Sequence, residues 1–389
     1  MKPPPLSRLC LRPVSINLAF YRQFRASQIP KLPQCRRQLS ATAGRCSQNK
    51  QRLSLVATEK PKGSTRGRKR IVATLAIAFG LAATFYYISN PDSRSSTKIF
   101  DPPRFTPFTI VKREEVSPTS IILTLRPQTL INRPRKLVSD PYQESWEKGT
   151  WSVEIKQPQL QIARSYTPLP PNKGDPKGDL RLLIRKEHKG EVSGYLHTLG
   201  VGSQIHLRGP HEEFSLPETV MNVVFLAGGT GIAPALQVAY TLFEGRHTDV
   251  GKPKMHIVWA NRKRADCEGG ADISNPNAWE ARKTGRIVQE LETLQQKYPG
   301  QLSVDYLVDE EGKFLDQNRI SSLTKTSSEV KFGARHERID SKLLFVSGPE
   351  GFIDYIAGPK RWEGGKEGQG QLGGLIGQMG IRTWKVWKV

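Results

Sequence analysis

The sequence predicts a β-barrel plus α/β architecture: a small antiparallel barrel, then a parallel sheet wound with helices, with a transmembrane helix ahead of both. Three observations carry this expectation. From about Arg104 to Pro217, short alternating runs broken by Pro and Gly read as half-buried strands: Phe108–Lys112, Ser120–Leu125, Trp151–Ile155, Gln161–Tyr166, Asp179–Arg185 and Gln204–Arg208. From Met221 the rhythm changes to apolar runs separated by helical periods, the pattern of a parallel sheet. Before both, residues 71–88 read IVATLAIAFGLAATFYYI and hold no charge.

In chain order, residues 1–60 are rich in Arg, Ser, Pro and Gln, the composition of a mitochondrial presequence; a disordered basic tail would share that physics without the address. Residues 71–88 are read as one transmembrane helix, with Tyr86 and Tyr87 where an aromatic belt would sit. Arg66, Arg68, Lys69 and Arg70 crowd its N-terminal side, so the leader stays inside and the body crosses. In a mitochondrial inner membrane, that places the C-terminal body in the intermembrane space. Residues 89–103 are a linker, 104–217 the barrel domain and 218–389 the α/β domain. Within the barrel, Thr129–Gly149 reads as a charged surface loop in which Trp146 packs. In the second domain, Val223–Ala227, Lys254–Ala260, Leu302–Leu307 and Lys342–Ser347 are strands, and Ile232–Glu244 and Asn277–Lys297 are helical. Ser321–Arg338 and Gly364–Gly380 read as loop.

Charge is concentrated in the leader. Residues 1–70 carry 17 Lys/Arg and one acid, Glu59, whereas the body from Asp101 onward has 40 basic and 34 acidic residues, a net of +6. The basic block lacks interleaved aromatics and adjoins an apolar span, so nucleic acid is not an expected partner. Of four cysteines, only Cys267 lies in the body, which excludes a disulfide framework and a CxxC site. His188, His197, His206 and His211 are spaced too irregularly for a pair on one helix face, so no metal site is expected.

Four motifs carry the chemistry. Arg164, Tyr166 and Thr167 bring a cation for phosphate, a flat ring for stacking and a small hydroxyl to one side of an extended strand, which Pro168 then stops. Gly190-Glu191-Val192-Ser193 reads as a turn into a short helix, with the serine as cap. Gly228-Gly229-Thr230-Gly231-Ile232-Ala233-Pro234 lies between a buried strand and a helix, where glycines let a pyrophosphate approach the helix terminus. Ser347-Gly348-Pro349-Glu350-Gly351 follows the last buried strand.

In this order the motifs resemble those of the ferredoxin-reductase superfamily, in the branch that includes NADH–cytochrome b5 reductase. The resemblance covers the chain from about Phe105 to its end. It implies that Arg164 holds the FAD pyrophosphate, Tyr166 packs on the isoalloxazine and Thr167 bonds flavin N5, the last two forming the catalytic pair. It also implies that Gly190, Val192 and Ser193 bind the FAD pyrophosphate through backbone amides. Gly229, Thr230, Gly231 and Pro234, with Ser347, Gly348 and Pro349, would receive the nicotinamide dinucleotide. The family has cysteine where this chain has Ser347. Asp266 falls where the NADH-using branch places an acid for the ribose, although Arg262, Lys263 and Arg264 would suit the 2′-phosphate of NADPH. Trp384 and Trp387 are candidates for a closing aromatic over the flavin.

The implied function is electron transfer from NAD(P)H through FAD to haem or a haem protein. The leader, span and Ser-Gly-Pro-Glu-Gly run resemble the fungal mitochondrial cytochrome c import factors, flavoproteins that reduce haem for the cytochrome c haem-attachment machinery. A general NADH–cytochrome b5 reductase and a flavin-bound, non-enzymatic assembly partner of that machinery are the alternatives.

Overall fold

A computed structural model describes residues 99, 102–132, 137, 139–245, 252–270, 283–325 and 341–389. The expected presequence and the 71–88 span lie outside these residues. Among the described residues, no helix is long and apolar enough to cross a membrane.

The first half is a seven-stranded antiparallel sheet. Its strands are β1 (Thr106–Ser117), β2 (Ser120–Pro127), β3 (Gly149–Gln157), β4 (Ile162–Tyr166), β5 (Pro168–Leu169), β6 (Leu180–Arg185) and β7 (Gln204–Ser215). Their order across the sheet is β4-β3-β7-β1-β2-β6-β5. The two edge strands, β4 and β5, are separated in sequence only by Thr167. The chain therefore passes directly from one edge of the sheet to the other and curls it into a barrel. Alternation along β1, β3 and β7 turns Phe108, Ile110, Val153, Ile155, Ile205 and Leu207 into a closed apolar interior.

The second half is a five-stranded parallel sheet of β8 (Asn222–Gly228), β9 (Lys254–Asn261), β10 (Leu302–Val308), β11 (Lys342–Ser347) and β14 (Lys385–Lys388), ordered β10-β9-β8-β11-β14. The strands are nearly continuous apolar runs, as a sheet covered on both faces requires. A small hairpin, β12 (Arg361–Glu363) and β13 (Lys366–Gly368), stands outside it.

Several segments read as loops are ordered elements. Thr129–Gly149 contains the helix Gln143–Lys148, and helix Gln128–Asn132 runs into its start. Trp146 is buried and packs edge-on against Trp151 at 4.7 Å. Gly364–Gly380 overlaps the β12–β13 hairpin and holds the helix Gly374–Met379, while Gln317–Lys325 is helical. Of the expected helix Asn277–Lys297, residues 277–282 lie outside the described residues, 283–285 are not helical and Arg286–Lys297 is helix.

The two sheets share one core. Ile122, Leu169, Leu183, Phe214 and Leu216 of the barrel pack in the same apolar cluster as Phe225, Leu236, Leu291 and Phe345. Burial of this kind contributes about 25 cal/mol per Å² and fixes the domains without directional bonds. Polar contacts then set the register between them. Arg181 on β6 makes a forked pair with Glu290 on helix Arg286–Lys297 (2.9 Å to each carboxylate oxygen). Burial raises the pKa of Glu290, and the neighbouring Arg181 and Arg286 guanidinium groups counter that rise.

Candidate active site

The carboxyl ends of β8 and β11 face the open seam of the barrel across a cleft of about 770 Å³. Crevices at the carboxyl ends of parallel strands are where α/β sheets bind ligands, and this volume falls in the range of ligand sites. The cleft brings together Arg164, Tyr166, Thr167, Gly190, Val192, Ser193, Thr230, Gly231, Pro234, Ser347 and Gly348. Gly229 and Asp266 line a smaller adjoining cavity instead. Pro349 lines neither; it precedes the first turn of helix Glu350–Ala357.

One wall is β4 and the seam. Arg164 and Tyr166 stand opposite Ile155 and Val153, two residues apart on one side of the strand. Thr167 does not share that parity. It reaches the cleft because β4 ends at Tyr166 and the chain turns into β5 there. The exposed Arg164 guanidinium has one hydrogen bond among the described residues, from Nη1 to the Ala163 carbonyl (2.9 Å), and no acid partner. Burial pushes the Tyr166 phenol up to about 12, an effect eased by the Arg164 charge, so the ring stays neutral and apolar in character.

The adjoining wall is the helix Glu191–Thr198. Ser193 is not its cap, because it lies inside the first turn while Gly190 occupies the cap position. The Ser193 hydroxyl instead accepts from the Glu187 N–H (3.1 Å) and donates to the Gly190 carbonyl (3.2 Å). That closes the loop in front of the helix and leaves its N-terminal end, where the dipole favours anions, facing the cleft.

The opposite wall is the Gly-rich turn after β8. Gly229 adopts a left-handed φ of +54°, and its carbonyl accepts from the Trp259 indole N–H (2.8 Å). Gly231 serves packing: a side chain there would overlap the Ser347 carbonyl. The turn after β8 and the Ser347–Gly348 turn after β11 are thus stacked on one another, which explains why small residues recur in both.

Asp266 is turned away from the large cleft. Its Oδ1 accepts from Ser117 (2.7 Å) and Thr119 (3.3 Å) of the barrel, and its Oδ2 lies 3.5 Å from the Arg185 guanidinium. Arg264 is committed as well, forked onto Glu311 at 2.6 Å. Neither tryptophan near the end of the sequence covers the cleft. Trp384 is buried and donates to the Thr324 carbonyl, Trp387 packs on Phe214 at 4.9 Å, and Val389 lines the cleft instead.

Among the cleft residues that sequence reasoning missed are Arg185, Glu213 and Lys360. Arg185 lies two positions from Leu183 at the end of β6, so strand parity alone places both on the cleft side. Glu213 is raised by burial, and the Ser152 hydrogen bond and the Lys360 charge oppose the rise.

These residues fit a flavin dinucleotide. A cation without an acid partner, a neutral half-buried tyrosine and an open helix end converge on one cleft. Arg164 and the amides of Gly190–Ser193 would hold its phosphates, and Tyr166 and Thr167 would meet its ring.

Comparisons with known proteins agree on FAD as the cofactor. Residues 149–216 match the family model described as an oxidoreductase FAD-binding domain. NADH-cytochrome b5 reductase 2 of Kluyveromyces lactis is 24% identical over 58% of this chain and 67% of its own length. NADH-cytochrome b5 reductase 1 of Pyricularia oryzae is 28% identical over 51% of this chain and 61% of its own. An uncharacterised FAD-binding protein of Schizosaccharomyces pombe is 26% identical over 82% of this chain and 96% of its own. The chain thus spans about two thirds of the length of the reductases it matches. Among solved structures, the cytochrome b5 reductase domain of Ulva prolifera nitrate reductase is similar at a TM-score of 0.48 and 15% identity, over 74% of this chain and 99% of that one. The chain thus carries an oxidoreductase FAD-binding domain, joined to a parallel α/β sheet, and is similar to NADH-cytochrome b5 reductases.

Proposed function

We propose that this protein is a mitochondrial, membrane-anchored flavoprotein reductase that draws electrons from NADH and passes them to haem or a haem protein during cytochrome c maturation. The observation that supports it most is the cleft itself, where the barrel's Arg164–Tyr166–Thr167 wall faces the nucleotide turn of the α/β domain. The relatives' names pair NADH with a haem protein, cytochrome b5, as acceptor. The arginine-rich leader, the uncharged 71–88 segment and the Ser347-Gly348-Pro349 run support the mitochondrial reading.

When bound, FAD supplies the conversion between two-electron chemistry with NADH and one-electron delivery to iron. The chain's own residues supply position and electrostatics. Arg164 neutralises phosphate charge, and the helix Glu191–Thr198 adds its positive end. Tyr166, held neutral by burial, gives the ring system an apolar wall. Thr167 offers a hydroxyl at the seam. The stacked turns after β8 and β11 bring the second nucleotide to the same cleft. Ser347 is 5% exposed and its carbonyl abuts Gly231, so its place is fixed by packing.

A second reading, a general NADH–cytochrome b5 reductase, is favoured by the relatives' names alone. An anaerobic absorbance titration of the purified protein with NADH, followed by ferric haem or ferric cytochrome b5, separates the two. Bleaching of a flavin spectrum that only free haem restores supports the proposal. Rapid recovery with cytochrome b5 alone selects the second reading, and absence of bound flavin rejects both.

A further inference from the structure

The β12–β13 hairpin is a projection with a fixed base. It leaves the α/β domain after helix Glu350–Ala357 and returns ahead of helix Gly374–Met379. Lys388, 3% exposed, grips both of its stems, its ammonium donating to the Pro359 and Gln371 carbonyls at 3.0 Å each. The Gln369 amide adds two bonds to the Lys388 backbone, accepting from its N–H at 2.7 Å and donating to its carbonyl at 2.8 Å. Four hydrogen bonds at the root hold so short a hairpin in one orientation. Whatever its tip offers to a ligand is offered with little ordering left to do.

The tip offers Trp362, which is 71% exposed. Trp362 lies opposite Glu367 in the hairpin register, and residues paired across an antiparallel ladder project from the same face. Glu367 lines the large cleft, and so does Lys360, whose ammonium meets the Glu367 carboxylate at 3.3 Å. Both stand within electrostatic reach of Glu213 on β7 of the barrel. The face that carries the indole is therefore the one turned to the cleft and to the barrel beyond it. The other large exposed hydrophobic side chains among the described residues, Phe314 and Val201 for example, neither belong to the hairpin nor line the cleft. The apolar surface here is too narrow to form the core of a protein interface. One bare indole matches one flat ring.

We infer that Trp362 is the stacking platform for a haem acceptor: the porphyrin lies against the indole with one edge toward the cleft, and Lys360 exchanges Glu367 for a haem propionate. The inference rests on the reductase reading above and adds the acceptor's subsite to it. The Lys360–Glu367 pair is partly open to solvent, and ion pairs of that kind contribute little, so the exchange costs little. NADH gives up two electrons and one proton, and two ferric haems take one electron each and leave as ferrous haem. The acceptor must therefore come and go twice for each NADH oxidised. An open platform at the mouth of the cleft permits that exchange, whereas an enclosed pocket would bury most of the ligand.

The test is titration of ferric protoporphyrin into the oxidised, NADH-free full-length protein, followed by Soret absorbance. Flavin-to-protein absorbance, NADH-driven ferricyanide reduction and light scattering are recorded in parallel. Trp362→Ala is expected to weaken saturable haem binding by about ten- to hundredfold, through lost stacking and lost apolar contact together. Its flavin content and ferricyanide reduction should match the parent's. Trp362→Phe keeps a ring and should fall between the two. Lys360→Gln should weaken haem but not haem dimethyl ester, which carries no propionate charge. Equal haem affinity in the parent and Trp362→Ala would overturn the inference, as would binding that never saturates. So would a loss of ferricyanide reduction in Trp362→Ala, which would assign the indole to the flavin or the nicotinamide. A fall from dimer to monomer with haem binding intact would overturn it too, by assigning the indole to a second copy of the chain. A parent whose flavin is missing, or is not reduced by NADH, fails at the reductase reading instead, because haem binding to the oxidised protein is scored apart from both.

Discussion

Gln237 and Trp151 exchange two hydrogen bonds across the domain boundary. The Trp151 N–H donates to Gln237 Oε1 at 2.9 Å, and Gln237 Nε2 donates back to the Trp151 carbonyl at 3.1 Å. The same amide nitrogen donates to Pro168 at 2.9 Å, so one fully buried side chain ties β3 and β5 to helix Ile232–Tyr240. Gln237→Leu keeps the bulk but strands three backbone groups. It should cost about 3 kcal/mol, since each orphaned buried group costs roughly 1–3 kcal/mol. Denaturant unfolding would show the loss, and a change below ~1 kcal/mol would mean water replaces the amide.

Arg164→Ala should leave the fold intact and empty the protein of flavin, because the exposed Arg164 side chain makes a single hydrogen bond, to its neighbour Ala163. The ratio of flavin to protein absorbance after purification checks this. Full occupancy would move the phosphate site elsewhere.

Gly231→Ala carries its cost in packing. The added methyl meets the Ser347 carbonyl and the Gly348 amide, both backbone atoms that cannot swing aside. A loss of about 2–4 kcal/mol, typical of overpacking at a rigid site, should appear in thermal melts with or without nucleotide. A defect confined to nucleotide affinity would contradict this assignment.

Much of the fold could be read because two periodicities are clean. Alternation marks β1, β3 and β7, while the unbroken apolar runs of β8 and β11 mark a sheet covered on both sides. The pairing of Arg164 with Tyr166 followed from strand parity. What stayed hidden depended on partners distant in sequence. Lys385–Lys388 has lysines at both ends and no apolar run, yet it pairs with β11. The Lys388 ammonium is buried there because the carbonyls of Pro359 and Gln371 each accept from it at 3.0 Å. Asp266 is legible as an acid after β9, but its attachment to Ser117 and Thr119 is set by how the barrel meets the sheet.

Glu213 provides a pH signature. Burial raises its carboxyl pKa in the folded protein, so its contribution favours folding below the unfolded pKa and is lost as pH rises through the folded one. Glu213→Gln removes that proton linkage. The variant should therefore gain melting temperature at neutral pH relative to the parent, with the gain shrinking toward pH 4. A constant difference across that range would show that Glu213 is unperturbed.

Tyr166 sets the opposite end of the scale. With its phenol pushed up to about 12, no tyrosinate should form at this site as pH passes 10. Difference absorbance between the parent and Tyr166→Phe should be flat through pH 10; a step there would place the ring in solvent.

The barrel's seam is a clasp made of covalent bonds. Neighbouring strands elsewhere are laced by ladders, but β4 and β5 are edge strands joined through Thr167. Severing the backbone at that residue would leave every ladder in place but unlink the two edges, whereas nicking the turn at residues 158–161 would leave the edges linked. A circular permutant opened at Thr167 would thus lose ring closure and the cofactor wall in one cut. The residue that lines the cleft at the seam is thus also the peptide link between the barrel's two edges.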